Sequence, residues 1–576
     1  MADIIVKASS VITIDSANPR AEAVAVDTAT GLITMVGSLA DCKASVPDAA
    51  ITDLGDSVLV PGFVESHSHP MMSGLVTQPP AYWIAPYVGF PAFADVEAVF
   101  HKADTESPEG QALLFNGLDR MLQGAPALDR ATLDTYFPNR AAVVFDNSGH
   151  EVYFNSGAVE LLGWPDGKPP ADPAGARFGR NDDGTSNGLA YETSAIAQVL
   201  VPLFPKIVEH PLHSSAQWYA LMARNGLTAS SEHCYSDGSQ QGYEALASAT
   251  DCPLRISLYH VSTESTCGEP FKSSVPDIML RKQGIKLWAD GAPWVGTIAI
   301  SFPYLDTPTT RNAQIKPGAT FETMMNYTRA ELDGALAANA KTGQQFAFHV
   351  NGDVGLDIVL DAYAHALAVN GLLGTDHRWR VEHLGGCRGD QFKRAADLGV
   401  GLSMGPYQFI YWGDLLDGEI FDSSIGSQWQ RIGDAFRQGA VVAFHNDGMV
   451  SPPNVLLNIQ TVITRMTPSG QVHGPEQIIS LDDAIKAETI NAAHLLHRDH
   501  EIGSIEVGKF ADFAVLSRDP YEVDPTRLAT EVEVQQTWLG GKPIDLDAFL
   551  DEVRAINPTE QHSAAAAHSV VHGHRC

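Results

Sequence analysis

Basic residues are scarce in this chain of 576 residues, in which 37 Lys and Arg stand against 69 Asp and Glu. The resulting formal net charge of -32 repels nucleic acid phosphates and anionic lipid headgroups. The acidic residues are spread in ones and twos, which is typical of a solvated surface. We therefore expect neither nucleic acid nor a membrane as a partner.

Cysteines and long apolar runs are scarce as well. Six cysteines without a CxxC pair argue against a disulfide framework and favour a reducing compartment. The N-terminal stretch MADIIVKASSVITID lacks the basic start and apolar core of a secretory signal, and no apolar run approaches the ~18 residues of a membrane span. A cytoplasmic protein that acts on a small molecule is expected, and a homo-oligomer is compatible with this pattern.

Short β-rich runs occupy both ends of the chain. They are predicted to pair into one composite β-sandwich domain, with residues 1–60 as its N-terminal part and residues 498–550 as its C-terminal part. The last residues, INPTEQHSAAAAHSVVHGHRC, are low in complexity, and residues 551–576 are predicted to form a flexible tail. Three histidines of this tail, at positions 568, 572 and 574, leave adventitious metal binding as an alternative.

Between the ends, residues 61–497 alternate short apolar runs with helical stretches, which is the α/β pattern of a (β/α)8 barrel. Helical periodicity is clear at 321–343 and 354–374. The candidate barrel strands are GFVES (62–66), GLTAS (226–230), LRISLYH (254–260), GIKLWA (284–289), QFAFH (345–349), WRVEH (379–383), GVGLSM (399–404) and AVVAFH (440–445). Residues 71–200, with an extra strand-like run at 142–147, do not fit and are predicted to form an insertion over the barrel mouth.

Several candidate strands end in side chains that bind metals. His67 and His69 follow the first run, and residues i and i+2 of a strand point the same way. His349, His383 and Asp447 follow three later runs, and catalytic residues of such barrels lie at the carboxyl ends of strands. An exposed strand end or a core histidine explains any one of them, but their joint occurrence favours a metal site.

Lys286 lies inside the apolar run GIKLWADG, where an unpaired ammonium is costly. Burial favours the neutral amine, which carbon dioxide can carboxylate to give an anionic ligand able to bridge two metals. An ion pair with Asp290 is the alternative, and the spacing does not decide between them.

Several motifs together resemble the amidohydrolase superfamily, and more narrowly the amidohydrolase family 3 branch that includes N-substituted formamide deformylases. The similarity covers about residues 3–545. The motifs are GFVESHSH after a β-rich head, GIKLWADG, FHVNGD, RVEHLGG, FHNDG, TINAAHLL and GSIEVGKFADFAVL.

The resemblance implies a (β/α)8 barrel, a composite β-sandwich and a metal centre of divalent ions, most often zinc. It implies two ions bridged by carboxylated Lys286, or one ion if the lysine is unmodified. Asp447 would also be the catalytic proton shuttle. The metal ligands implied by position are His67, His69, Lys286, His349, His383 and Asp447. The sequence departs from the branch at His445-Asn446, where a small residue and Ser commonly precede the final Asp.

The function implied is hydrolysis of a C–N amide bond by metal-activated hydroxide, on a small, hydrophobic or aromatic N-substituted amide. Aromatic runs at 82–90 and 407–412 suit such a ligand. The candidate substrate-binding residues are His150, Asp290, Tyr407 and His445.

Two alternatives stay open. A deaminase of an aromatic heterocycle shares the barrel and the histidines, but Lys286 counts against it. A non-catalytic scaffold of the same fold would be expected to lack its ligands, whereas all six positions are occupied here.

Overall fold

The computed structural model describes residues 3–173 and 176–556. Eight parallel strands form its central sheet, a nearly closed barrel in which each strand pairs with the next along the chain. They are β1 (Phe63–Glu65), β2 (Leu227–Tyr235), β3 (Arg255–Val261), β4 (Leu280–Trp288), β5 (Gln345–Val350), β6 (Arg380–His383), β7 (Gly401–Met404) and β8 (Val442–Phe444). Their residues are almost all buried, as expected of strands covered on both faces. The predicted barrel is confirmed.

The barrel closes between β1 and β8 through side chains, since no backbone ladder joins these two strands within the described residues. Ser66 Oγ donates to the Phe444 carbonyl at 2.8 Å. The Glu65 carboxylate accepts from the backbone N–H of Asn446 at 2.5 Å and from its Nδ2 at 2.8 Å. Because Asn446 immediately precedes Asp447, this closure also fixes the start of the last candidate site segment.

Helices alternate with the barrel strands and pack around them. The helix predicted at 354–374 is observed at Asp353–Asn370, but the one predicted from residue 321 begins only at Arg329. Thr328 starts it, because its hydroxyl and the Glu331 carboxylate cap each other's backbone N–H groups. The helices between and after the barrel strands are Pro211–Arg224, Gln240–Ser248, Pro308–Asn312, Arg329–Asn339, Asp353–Asn370, Gly389–Leu398, Pro406–Leu416, Ser423–Gly426, Ile432–Arg437, Val455–Thr464, Leu481–Ala487 and Ile490–Leu495.

Both chain ends enter one further sheet, in which Val58–Pro61 pairs antiparallel with Phe513–Leu516. A two-layered sandwich and the boundaries at residues 60 and 497 stay predictions. The other strands are Ile4–Ile12, Arg20–Asp27, Leu32–Gly37, Ala50–Asp53, Val534–Leu539 and Lys542–Pro543, with helices Leu39–Ser45, Leu528–Glu531 and Leu546–Ala555. The last helix extends into the segment predicted to be a flexible tail, because Phe549 and Val553 are buried. Residues 557–576 of that prediction lie outside the described part.

The segment predicted as an insertion contains a separate six-stranded sheet. The run Ala142–Asp146 belongs to it and lies outside the barrel, as the strand count predicted. Its other strands are Tyr82–Trp83, Leu113–Leu118, Glu151–Phe154, Arg177–Arg180 and Ser186–Tyr191, with helices Pro70–Thr77, Phe93–Glu106, Arg130–Tyr136, Ser156–Leu161 and Thr193–Ile207. None of the helices described in the chain has the length and apolar character to cross a bilayer.

A buried ion pair joins the barrel to the sheet of the chain ends. Arg255 on β3 donates from its guanidinium to both oxygens of Asp512, at 2.7 and 2.9 Å. The two side chains are only 4% and 3% exposed. The Arg255 guanidinium also lies over the Phe510 ring, 4.5 Å from its centroid.

We expect Asp512→Ala to lower the free energy of unfolding in urea by about 3–5 kcal/mol, because Arg255 is then left as an unpaired buried charge. The exposed pair of Lys7 and Asp53, 31% and 51% exposed, is the matched control, and Lys7→Met should cost no more than about 1 kcal/mol. The double variant Arg255→Met/Asp512→Leu should regain most of the loss. Equal losses of stability in Asp512→Ala and Lys7→Met would contradict this account.

Candidate metal centre

The carboxyl ends of the barrel strands line a cavity of about 1070 Å³, part of it open to solvent. Five predicted ligands line it: His67, His69, His349, His383 and Asp447. The insertion supplies another part of the cavity wall, through Met72, Phe145, His150, Ile196 and Leu200. The structure therefore brings together side chains that are far apart in the sequence.

The two histidines of ESHSH lie just beyond β1, which ends at Glu65, rather than within the strand. They still converge, because Nε2 of His67 and Nε2 of His69 each lie 3.5 Å from Oδ1 of Asp447. Their Nδ1 atoms face carboxylates, with His67 at 2.9 Å from Glu382 Oε2 and His69 at 3.2 Å from Glu232 Oε1. This arrangement leaves Nε2 of both rings for a ligand.

Glu382 is held by its own ion pair. Arg380, two residues earlier on β6, donates to both carboxylate oxygens at 2.6 and 2.7 Å, and both side chains are fully buried. Arg380 also donates to the carbonyl of Ser66 at 2.8 Å, which ties β6 to the segment that carries His67. The carboxylate can therefore orient His67 without being an unpaired buried charge.

Lys286 lies on β4 with Nζ 3.5 Å from His67 Nε2. Burial lowers the pKa of Lys286 to about 8. Asp290 instead accepts three backbone N–H groups, from Ala299, Asn351 and Gly352, at 2.8–3.1 Å. Among the described residues, Lys286 contacts His67 and Asp290 accepts from backbone N–H groups, and no hydrogen bond or ion pair joins Lys286 to Asp290. Asp290 does not line the cavity. Asp290 thus shapes the loops beside the site.

His349 and His383 stand side by side, with ring centroids 4.3 Å apart. His349 donates from Nε2 to the Gly291 carbonyl at 2.9 Å, which leaves its Nδ1 as the acceptor nitrogen. His383 lies with Nδ1 3.2 Å from His445 Nε2, and its buried Nε2 has no hydrogen-bond partner among the described residues. Burial lowers the pKa of both rings, which favours the neutral form that binds metals.

The remaining predicted residues differ in position. Tyr407 lines the cavity and donates to Oδ2 of Asp447 at 3.1 Å. His445 lies behind His383, fully buried, with Nδ1 2.8 Å from Ser403 Oγ. His150 lines the cavity from the insertion, and its Nδ1 donates to Glu192 at 2.8 Å.

Sequence reasoning missed Glu382 and the group Glu232, His233 and Cys234. The last three lie on β2, whose predicted strand stopped at residue 230 but which continues to Tyr235. His233 stacks between the rings of His67 and Tyr259, with centroids 4.0 and 4.1 Å away. A run of consecutive polar residues, SSEHC at 230–234, inside a buried strand was the available signal for this group.

The donor set fits a divalent metal ion. The ligand atoms of His67, His69 and Asp447 lie within 4.8 Å of one another, and neutral imidazole with carboxylate is a ligand set that zinc and related ions accept. The unpartnered Nε2 of His383 is a further donor that burial would otherwise penalise.

Comparisons with known proteins show the family and the fold of the chain. The model of the amidohydrolase family matches residues 50–545. The N-substituted formamide deformylase of Arthrobacter pascens is 27% identical over 94% of this chain and 98% of its own length. Protein LONG AFTER FAR-RED 3 of Arabidopsis thaliana is 26% identical over 94% of this chain and 92% of its own. An uncharacterized metal-dependent hydrolase from Pyrococcus horikoshii has the same fold, with a TM-score of 0.69 at 19% identity, over 91% of this chain and 99% of that one.

We expect Glu382→Gln to weaken divalent metal binding by about 10- to 100-fold, because His67 loses the carboxylate that orients it. Metal retained after dialysis against a metal-buffered solution gives the measurement. Asp414→Asn is the matched control, since it removes a carboxylate 2.8 Å from His473 outside the cavity. Equal metal retention in the two variants would show that Glu382 does not support the site.

Proposed function

Because the chain belongs to the amidohydrolase family and is a metal-dependent hydrolase of C–N bonds, we propose that its substrate is a small N-substituted amide with a hydrophobic or aromatic substituent. The observation that carries the proposal is the convergence of His67, His69 and Asp447 at an aromatic-walled cavity. Trp288, Trp294 and Tyr407 belong to that wall.

His67, His69 and Asp447 would hold the first divalent ion, which we propose to be zinc. When bound, such an ion lowers the pKa of a water molecule and polarises the substrate carbonyl. The carboxylates of Glu382 and Glu232 orient the two imidazoles toward it, and the surrounding apolar wall limits competing solvent. The protein thus supplies the binding geometry before the substrate arrives.

Asp447 is proposed to carry the proton between the two halves of the reaction. It accepts a proton from the attacking water and delivers it to the leaving nitrogen as the C–N bond breaks. Burial raises the pKa of Asp447, which makes the carboxylate a better proton acceptor. The Tyr407 hydroxyl holds Oδ2, so Oδ1 is the oxygen that faces His67 and His69.

Carboxylation of Lys286 is proposed to create a second metal site. With its pKa near 8, a fraction of the amine is neutral at physiological pH and can attack carbon dioxide, forming a carbamate with loss of one proton. Nδ1 of His349 and Nε2 of His383 are the nitrogens left for the second ion.

The substrate class is proposed from the wall of the cavity and from the similarity to the formamide deformylase. The cavity wall includes the apolar side chains of Phe145, Ile196, Leu200 and Val450. A hydrophobic N-substituent would bury against them while the amide group reaches Asp447. A deaminase acting on an aromatic heterocycle would release ammonia, which separates the two functions in one assay.

We expect the metal-loaded protein to release formate from N-benzylformamide, and Asp447→Asn to lower kcat by at least about 10²-fold because the proton carrier is lost. Tyr407→Phe keeps the carboxylate and should lose less than about 10-fold. Formate and ammonia are quantified in parallel with a panel of aminoazines. Ammonia release from the aminoazines without acid release from any amide would overturn the proposal.

We expect Lys286→Met to halve the metal content per chain, because the bridging carbamate can no longer form. Metal is counted by mass spectrometry of the ions, and the native intact protein should carry the mass of one carbon dioxide that the variant lacks. Chelation should abolish activity and added zinc should restore it. An unmodified Lys286 in active protein would reject the two-ion arrangement.

A further inference from the structure

A further group of side chains that bind metals lies outside the cavity. Asp237 follows β2, His260 belongs to β3, and Glu264 follows β3. The ligand atoms of these three residues lie within 4.8 Å of one another, and none of the three residues lines the cavity of the metal centre. We call Asp237, His260 and Glu264 the outer triad.

The outer triad and the metal centre lie on opposite faces of β3. Successive side chains of a strand point to opposite faces. Tyr259 points into the barrel, where its ring stacks on that of His233 with centroids 4.1 Å apart. His260 therefore points outward, where the centroid of its ring lies 5.0 Å from that of Tyr235. An ion held by the outer triad would be distinct from the ions proposed for the cavity.

Nε2 of His260 faces both carboxylates of the outer triad. It lies 2.6 Å from Oε2 of Glu264 and 3.9 Å from Oδ1 of Asp237. A single N–H at Nε2 can satisfy Glu264, but Asp237 is beyond hydrogen-bond distance. Oδ1 of Asp237 accepts no hydrogen bond from the residues that the structure describes. A divalent ion bound to these three atoms would satisfy all of them at once, with the ring proton on Nδ1.

Protein donors hold the two carboxylates toward the imidazole. The backbone N–H of Asp237 donates to Oε2 of Glu264 at 3.0 Å. The Thr266 hydroxyl donates to Oδ2 of Asp237 at 2.6 Å, so Oδ1 is the oxygen that faces the ring. The nearby Lys282 ammonium donates to two backbone carbonyls at 2.7 and 3.2 Å rather than to Asp237. Within the described chain no Lys or Arg forms an ion pair with Asp237.

We propose that the outer triad is an accessory binding site for a divalent metal ion such as zinc. Imidazole nitrogen and carboxylate oxygen are ligands that zinc accepts, and three protein ligands leave the fourth tetrahedral position to water. The His260 side chain is fully buried, whereas those of Glu264 and Asp237 are 14% and 54% exposed. An ion can therefore enter from solvent on the Asp237 side. This inference does not depend on the proposed amide hydrolysis.

An ion at the outer triad would tie the end of β2 to β3. The pairing of these two strands shifts register between Glu232 and Tyr235, so the backbone ladder is irregular just before Asp237. Glu232, whose carboxylate faces His69, lies at the start of this irregular stretch. Binding at the outer triad would therefore stabilise the strand end that carries one support of the metal centre.

Zinc content of the full-length protein after equilibration in a zinc-buffered solution tests the proposal. We expect Asp237→Ala and His260→Gln each to bind one zinc ion fewer per chain than the native protein, because each removes one of three ligands. Asp277→Ala is the matched control, since it removes a carboxylate of the same connection after β3 that is 75% exposed, and it should bind as much zinc as the native protein. The cavity ligands and the tail histidines are the same in all four chains, so the difference counts the outer triad alone.

Two further measurements locate the ion and guard against misfolding of the variants. Anomalous diffraction from crystals of the native protein soaked in zinc chloride should show a peak about 2.0–2.2 Å from His260 Nε2 and from both carboxylates. Added zinc should raise the thermal midpoint of Asp277→Ala more than that of Asp237→Ala. Because Asp237 is exposed, its variant decides the outcome if His260→Gln does not fold. Equal zinc content in Asp237→Ala and the native protein, or no peak at the outer triad, would overturn the proposal.

Discussion

The buried ion pair of Arg380 and Glu382 is the interaction on which the site depends. Two charges removed from water are tolerable only when each satisfies the other and its remaining hydrogen bonds, and this pair does so. Each partner makes one further hydrogen bond outside the pair. Glu382 accepts from His67, and Arg380 donates to the Ser66 carbonyl. The orientation of the His67 ring is thereby set by the barrel core rather than by the loops.

The hydrogen bonds that close the barrel also position Asp447. Since β1 and β8 share no backbone ladder in the described chain, Glu65 and Asn446 connect them with side-chain hydrogen bonds. His67 leaves one side of this seam and Asp447 leaves the other. Their 3.5 Å approach thus follows from closing the sheet.

The eight barrel strands and most candidate ligands could be predicted because apolar runs ending in His or Asp carry local information. The roles of Glu232 and Glu382 could not be predicted, because the imidazoles that they face, those of His69 and His67, are distant in sequence. The Lys286–Asp290 alternative had plausible spacing, but backbone N–H groups of three loop residues satisfy Asp290 instead. Thr328 and Glu331 similarly moved a helix start that periodicity alone placed at residue 321. The sequence allowed the prediction that the two chain ends pair with each other. It did not show whether the resulting sheet forms a two-layered sandwich.

That pairing of the ends also constrains the order in which the protein can be completed on the ribosome. Val58–Pro61 gains its antiparallel neighbour only after Phe513–Leu516 has been synthesised. Until then the early strands present an open sheet edge, which is the kind of surface that pairs with other chains. A nascent or truncated chain that has formed the whole barrel but lacks Phe513–Leu516 would therefore still be prone to aggregation. Pairing with Phe513–Leu516 covers the open edge.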